Sequence, residues 1–398
     1  MKAMHALIAG SITFALSLPT LADVSHVFVS NTGDQTMSLI KCVTSSGKVP
    51  IKCEEKQRME VGFGTSWPAN QYDGHPAWWW SGLSGEVIGI KAKGSLSPLN
   101  NPANIVSVDT YDIPGLPSRG ANFIGIMPDG RTAWNSAREV DQIQEIDTDP
   151  DSPTFGTILN RIDVPDLDST QQGPGTGPTP PEPPNLNLGM ARPCDATITP
   201  DGRFFLEPDL GGESLTVVDI TTKQIIHQVQ ADPAIPGDKV FPFMSTTNGK
   251  IVLVENLEGD NTYDIWDVSD LPAEPLYRKK LTRADGLGLD AQTSEFTPDG
   301  QYAYLIMRGD PNVLPDHPDA SRIDVLNVDE DSLDYLEIVN SIELPQRCFA
   351  STGDFSKDGR YFFVNCNRRD EVVVVDGHSQ TAIASIATGD GPRGVVVR

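Results

Sequence analysis

The chain has 398 residues, 55 of them acidic and 30 basic, for a formal net charge of −25. A surface this acidic repels phosphate backbones and anionic headgroups, so nucleic acid and direct membrane insertion are not expected. It favours cations, basic partners or simple solubility in a saline medium.

Residues 1–22 read as a secretory signal: Lys2, an apolar stretch over 6–18, and Thr20-Leu21-Ala22 before Asp23. The stretch is shorter than the ~20 apolar residues that span a bilayer, and no later segment reaches that length. Asp23, where a lipid-anchored chain would have Cys, argues against an anchor. Residues 23–398 are expected to be one domain, periplasmic or secreted.

In chain order, HVFVSNTGDQTMSLIK (26–41) carries two β-rich runs around a turn. Cys42 and Cys53 flank the turn-like SSGK, and an oxidising compartment permits a disulfide across such a hairpin. YDGHPAWWWSG followed by EVIGIK (72–91) repeats the order turn, strand, strand. The phrase then recurs as MPDGRTAW (127–134), TPDGRFFL (199–206), TTNGKIVLV (246–254), TPDGQYAYL (297–305) and SKDGRYFFV (356–364). Each is followed by a second β run: QIQEID (142–147), LTVVDI (215–220), YDIWDV (263–268), RIDVLNV (322–328) and EVVVVD (371–376). Asp-Gly and Asn-Gly supply the positive φ of tight turns, and Val, Ile, Tyr and Phe suit pleated strands. GPGTGPTPPEPPNLNLG (173–189) is too polar and proline-rich to pair and reads as a surface loop. GPRGVVVR (391–398) is a lone first strand, and the segment at 26–41 lacks one.

A repeat of this length built from short strands predicts an all-β, seven-bladed β-propeller whose ring is closed by pairing of the N- and C-terminal strands. Closure removes exposed strand edges. Residues 356–397 resemble the YVTN repeat of exported YncE-like propellers, and the likeness weakens toward the N-terminus. The resemblance implies fold and export. It leaves activity open, because such propellers include binding proteins and cofactor-bearing dehydrogenase subunits.

Six residues before the Pro of each turn, or its substitute, stand Ser66, Asn122, Cys194, Phe241, Gln292 and Ser351, with Arg393 from the closing strand. First strands line a propeller's channel, so these side chains are expected at one rim. Asp195, Arg119, Arg192 and Arg347 lie close by in sequence. Several arginines at a concave mouth suit an anion or a carboxylate-bearing ligand, although a water-filled channel also needs polar walls. Cys348 and Cys366 fall near the same rim, with a register offset that strains a disulfide unless a bulge intervenes. That leaves Cys194 as the odd thiol, either an inert buried side chain or a soft contact at the mouth.

No HxH, HExxH or CxxCH spacing is present, so no metal site is expected from local motifs and covalent haem is excluded. The cofactor is left open. The acidic loops 147–154 and 329–334 could mimic calcium loops, but Asp also populates turns by bonding its own backbone. Trp78-Trp79-Trp80 suits packing between blades. Arg308-Gly309-Asp310 is a tripeptide of common residues. No nucleophile elbow or catalytic triad is visible. The leading reading is a non-catalytic propeller binding a small molecule or a periplasmic protein at the channel mouth. The alternatives are an oxidoreductase or its propeller subunit, similar to the amine-dehydrogenase heavy chain, and a lactonase-like hydrolase.

Overall fold

A computed structural model describes residues 24–43, 51–60, 65–68, 77–82, 86–91, 105–109, 121–165, 191–231, 242–257 and 261–397; over 65–109 it describes backbone only. The signal segment 1–22, the loop 173–189, Arg119 and Phe241 lie outside the described residues, as do the side chains of Ser66, Asn122 and the Trp triplet.

The described strands pair into seven four-stranded antiparallel sheets. Sheet 1 holds Val24–Asn31, Thr36–Val43 and Lys52–Glu60, with Pro392–Val397 along its inner edge. Sheet 2 runs from Thr65–Pro68 to Ile105–Asp109, sheet 3 from Ala121–Ile126 to Ile158–Asp163, and sheet 4 from Thr197–Ile198 to Gln224–Gln230. Sheet 5 runs from Pro242–Thr247 to Leu276–Leu281, sheet 6 from Ala291–Phe296 to Ile338–Glu343, and sheet 7 from Gly353–Phe355 to Thr381–Ala387. The terminal strands pair antiparallel, with Val27 opposite Val397 and Val29 opposite Val395.

Turn chemistry accounts for the repeated phrase. Gly130, Gly202, Gly249, Gly300 and Gly359 all have φ between 68° and 87°, a region closed to most side chains. The Asp or Asn before each glycine accepts the N–H two residues on, as Asp201 Oδ1 does from Arg203 at 3.1 Å. The glycines also allow neighbouring sheets to nest. A Cβ on Gly202 would lie 2.8 Å from Pro128, and one on Gly359 3.3 Å from Pro298. The proline of one turn therefore packs on the glycine of the next.

Cores lie between successive sheets. Phe204, Leu206, Val217, Val252, Val254 and Trp266 join sheets 4 and 5. Val27, Val29, Ile40, Val395, Tyr361, Phe363 and Val374 join sheets 1 and 7. In sheet 4 the second and third strands are buried along their whole length, whereas an outer strand such as Ile158–Asp163 alternates.

First strands of successive sheets are tied laterally at one end. Asp195 bridges to Met244 in parallel fashion. Thr246 Oγ1 meets Ser294 Oγ at 2.5 Å, Thr293 Oγ1 donates to Ser351 O at 2.9 Å, and Thr352 Oγ1 donates to Arg393 O at 2.6 Å. These bonds cross from sheet 4 to 5, 5 to 6, 6 to 7 and 7 to 1, which brings the first strands together around one cavity.

Candidate functional site at the channel mouth

That cavity, of about 150 Å³, is lined by first-strand residues of six sheets, including Phe123, Asp195, Thr246, Gln292, Thr352 and Val395. Glu255 and Tyr263 reach it from the second and third strands of sheet 5. Its wall is mixed: Ile126, Ile198, Met244 and Val396 beside hydroxyls and carboxyls. A small concave site with a few convergent polar groups is the usual form of a ligand pocket.

Asp195 is its most unusual group. The backbone is clamped between sheets, its N–H donating to Phe243 O at 3.0 Å and its carbonyl accepting from Ser245 N at 2.8 Å. Its side chain is only 8% exposed, and neither carboxyl oxygen has a hydrogen-bond partner. Burial pushes its pKa up to about 8, against the opposing pull of the Arg393 and Arg138 guanidiniums. The Nε–H of Arg138 is likewise buried without an acceptor. Burial lowers the Arg393 pKa, Asp195 opposes that shift, and Arg308 adds to it.

Glu255 is buried at the same mouth. Asn261 Nδ2 donates to its Oε1 at 3.3 Å, while Oε2 has no partner. Burial raises its pKa well above the ordinary range, the Asp290 charge adds to that and Arg308 opposes it. Arg308 grips Asp290 through both oxygens at 2.5 and 2.8 Å, so the arginine of the Arg-Gly-Asp tripeptide is engaged inside the fold. Gln292 donates to Ala291 O at 2.8 Å, and its own carbonyl accepts from the Tyr263 hydroxyl at 3.1 Å.

Glu295 lines the same cavity, burial raises both it and Asp354, and the Asp354 charge adds to the rise at Glu295. Asp354 accepts N–H groups from Val397 and Phe355 at 2.7 and 2.8 Å.

The remaining sequence candidates have varied settings. Cys194 is fully buried in the wall behind Asp195 and forms no disulfide. Its N–H donates to Glu207 Oε1 at 2.7 Å, and the Glu207 Oε2 accepts from Ser136 at 2.5 Å, which joins sheets 3 and 4. Arg192 is half-buried with φ 52°, its backbone N–H donating to Asp141 at 2.7 Å. Arg347 is exposed. Ser351 is held by Asn365, whose Oδ1 accepts the N–H groups of Ser351 and Thr352 at 2.9 and 2.8 Å. Asn365 Nδ2 in turn donates to the carbonyls of Pro392 and Arg393 at 2.6 and 3.2 Å, so this one side chain sets the mouth edge of sheet 7 against the closing strand. In the loop 147–154 the acidic groups bond their own turn: Asp147 Oδ2 accepts from Ser152 and Thr154, both at 2.5 Å.

Both expected disulfides are formed. Cys42 lies opposite Cys53 in register, with Cα atoms 4.1 Å apart. Cys348 and Cys366 approach to 4.2 Å. The expected register offset is present, with Gly353 opposite Val364, and the chain spans it with left-handed φ at Arg347 and Phe349, 63° and 55°, on either side of Cys348.

Glu255, Arg138, Arg308, Glu295, Asp354 and Asn365 are site groups that sequence reasoning missed. One signal was available: Glu255 follows directly on the apolar run IVLV and Asn365 interrupts FFVNC, where an ionisable or amide group needs a reason to be buried.

No protein-family profile and no curated protein sequence matches the chain. Solved structures do. The periplasmic gluconolactonase of Pseudomonas aeruginosa superposes with a TM-score of 0.64 at 14% identity, covering 94% of this chain and 99% of that one. Hydrazine synthase of Kuenenia stuttgartiensis gives 0.56 at 13% identity over 84% and 89% of the two chains. A dihydro-heme d1 dehydrogenase gives 0.54 at 15% identity over 93% and 74%. The chain has the β-propeller fold of these proteins. At such identities the likeness speaks for fold alone.

Proposed function

We propose that this chain is an exported, YVTN-like seven-bladed propeller that binds a small ligand at its channel mouth without transforming it. Seven four-stranded sheets and the pairing of Pro392–Val397 with Val24–Asn31 support the blade count and the closed ring. Two disulfides support export. One observation carries the binding role: an inward-facing, buried Asp195 whose two oxygens are unpaired. A fold does not leave such a group unsatisfied without cost, and a ligand supplies what is missing.

The test is a ligand screen by thermal shift on wild type and on Arg393→Ala with Arg192→Ala. A ligand present at about 100 times its Kd adds about 2.7 kcal/mol to the folded state. The expected result is a stabilising ligand in wild type whose effect is lost in the double variant, with the unliganded melting temperature nearly unchanged. Undiminished stabilisation would move the site away from this mouth.

A second reading is lactonase-like hydrolysis, favoured by a carboxyl held protonated near neutral pH in a cavity, which suits a general acid. Turnover of simple lactones that disappears in Asp195→Asn would establish it instead. An oxidoreductase reading requires an absorption band or stoichiometric metal in protein purified from its own periplasm.

A further inference from the structure

The same mouth constrains the chemistry of its ligand, a constraint that rests on the binding role proposed above. Asp195 and Arg138 present orphaned partners of opposite kind, two carboxyl oxygens and a guanidinium Nε–H, all buried. They sense one another electrostatically, yet no hydrogen bond joins them. Arg393 acts on the same carboxyl from the closing strand. A group that serves both the unsatisfied donor and the unsatisfied acceptor would complete them, and Asp195 stands in the lining of the cavity from which it would come.

The charged groups facing Asp195 decide the chemistry of that group. They are the guanidiniums of Arg393 and Arg138, and the carboxyls of Glu207 and Glu255. Burial raises both glutamates well above the ordinary carboxyl range, and Asp195 itself titrates at about 8. Burial favours the neutral form of each of these three carboxyls, which leaves the guanidiniums to set the field. A neutral carboxylic acid is a hydrogen-bond donor. An arginine and a carboxylic acid together satisfy an anion, and a cation would face two guanidiniums.

We propose that the mouth takes up a small organic carboxylate together with one proton, the anion lying between the guanidiniums of Arg138 and Arg393 and the carboxyl of Asp195, which donates a hydrogen bond to it. When Asp195 ionises, the donor becomes a like charge and the anion is expelled. The cavity, of about 150 Å³, limits the ligand to roughly the bulk of a six-membered ring. Gln292, Ser294 and Thr352 stand at the same lining to meet hydroxyl groups on such an acid.

The test is calorimetric titration of the full mature chain with lactate as the probe and lactamide as its neutral counterpart, from pH 6 to pH 9.5, in buffers of different ionisation enthalpy. The expected affinity is flat below about pH 7 and falls about tenfold per pH unit above about pH 8, the signature of one linked proton. Proton uptake should rise toward one per ligand over the same range, and lactamide should bind far more weakly. Asp195→Asn keeps a donor but cannot titrate, so it should bind lactate with no pH slope and no proton uptake. An unchanged slope in Asp195→Asn, proton release on binding, or equal affinity for lactamide overturns the proposal, as does absence of lactate binding by folded wild type at every pH. Stabilisation by a neutral ligand, lost in Arg393→Ala with Arg192→Ala, would refute this proposal and leave the binding role standing. Failure of every ligand to depend on the mouth residues would remove both.

Discussion

Replacing Asp195 with Asn should stabilise the protein in alkaline solution and leave it nearly unchanged in acid. An aspartate ordinarily ionises near 3.8, and burial holds this one protonated to about 8. Below about pH 4 both the folded and the unfolded chain carry the proton. Between about 4 and 8 the unfolded chain loses it and the folded chain keeps it, so stability falls as pH rises through that window; above it both forms are ionised and the loss is complete. At about 1.4 kcal/mol per pKa unit, a shift of about four units sets a ceiling of about 6 kcal/mol. Asn has the same shape and no charge to lose. The difference between variant and wild type should therefore grow from near zero at about pH 4 to a few kcal/mol at pH 8–9, or about 5 °C or more in Tm at about 2 °C per kcal/mol. Scanning calorimetry of both proteins across pH 4–9 measures it. Asp209 and Asp354, both raised to about 7, and Glu207, Glu255 and Glu295 give both curves a downward slope, so only the difference isolates Asp195. Parallel curves over the whole range would refute the premise that Asp195 is buried protonated at neutral pH.

Three other perturbations have defined outcomes. Asn365→Ala strands two buried N–H groups and the Pro392 and Arg393 carbonyls; it should cost about 2–4 kcal/mol by denaturant titration and weaken any ligand held by Arg393. Replacing Cys348 and Cys366 with Ala opens a link between residues 18 apart and should cost about 3 kcal/mol, read as a lowered urea midpoint relative to wild type in non-reducing buffer. Deleting residues 392–398 uncovers the edge of Val24–Asn31, and the expected product is aggregated chain on size-exclusion chromatography; a soluble, cooperatively unfolding monomer would show that the terminal strand does not close the ring.

The sheets were legible in the sequence because their determinants are local. A left-handed glycine after Asp or Asn and alternating β-branched residues fix a hairpin from within a dozen positions, and the split unit at 26–41 and 391–398 anticipated the pairing of the two ends. The register of Cys42 with Cys53 is local in the same sense. Which side chains enter the channel was much less legible. Equal spacing from each turn translates into equal facing only if the first strands are regular, and several are not. The pairing shifts between Ala121 and Phe123, between Pro242 and Met244, and between Ala291 and Ser294. One inserted residue turns a side chain to the opposite face. In sheet 4 the Pro193–Asp209 bridge is likewise one residue out of step with the pairing of Thr197 and Leu206; Cys194, at the counted position, sits in the wall, and Asp195 faces the cavity. Glu255, Arg138 and Arg308 come from the ends of second strands or the turn after one, in three different sheets, and no spacing along the chain relates them. Their raised carboxyls and unpaired atoms exist only because packing excludes water from the place where those sheets meet, and exclusion of water is a property of the assembled sheets that no single repeat encodes.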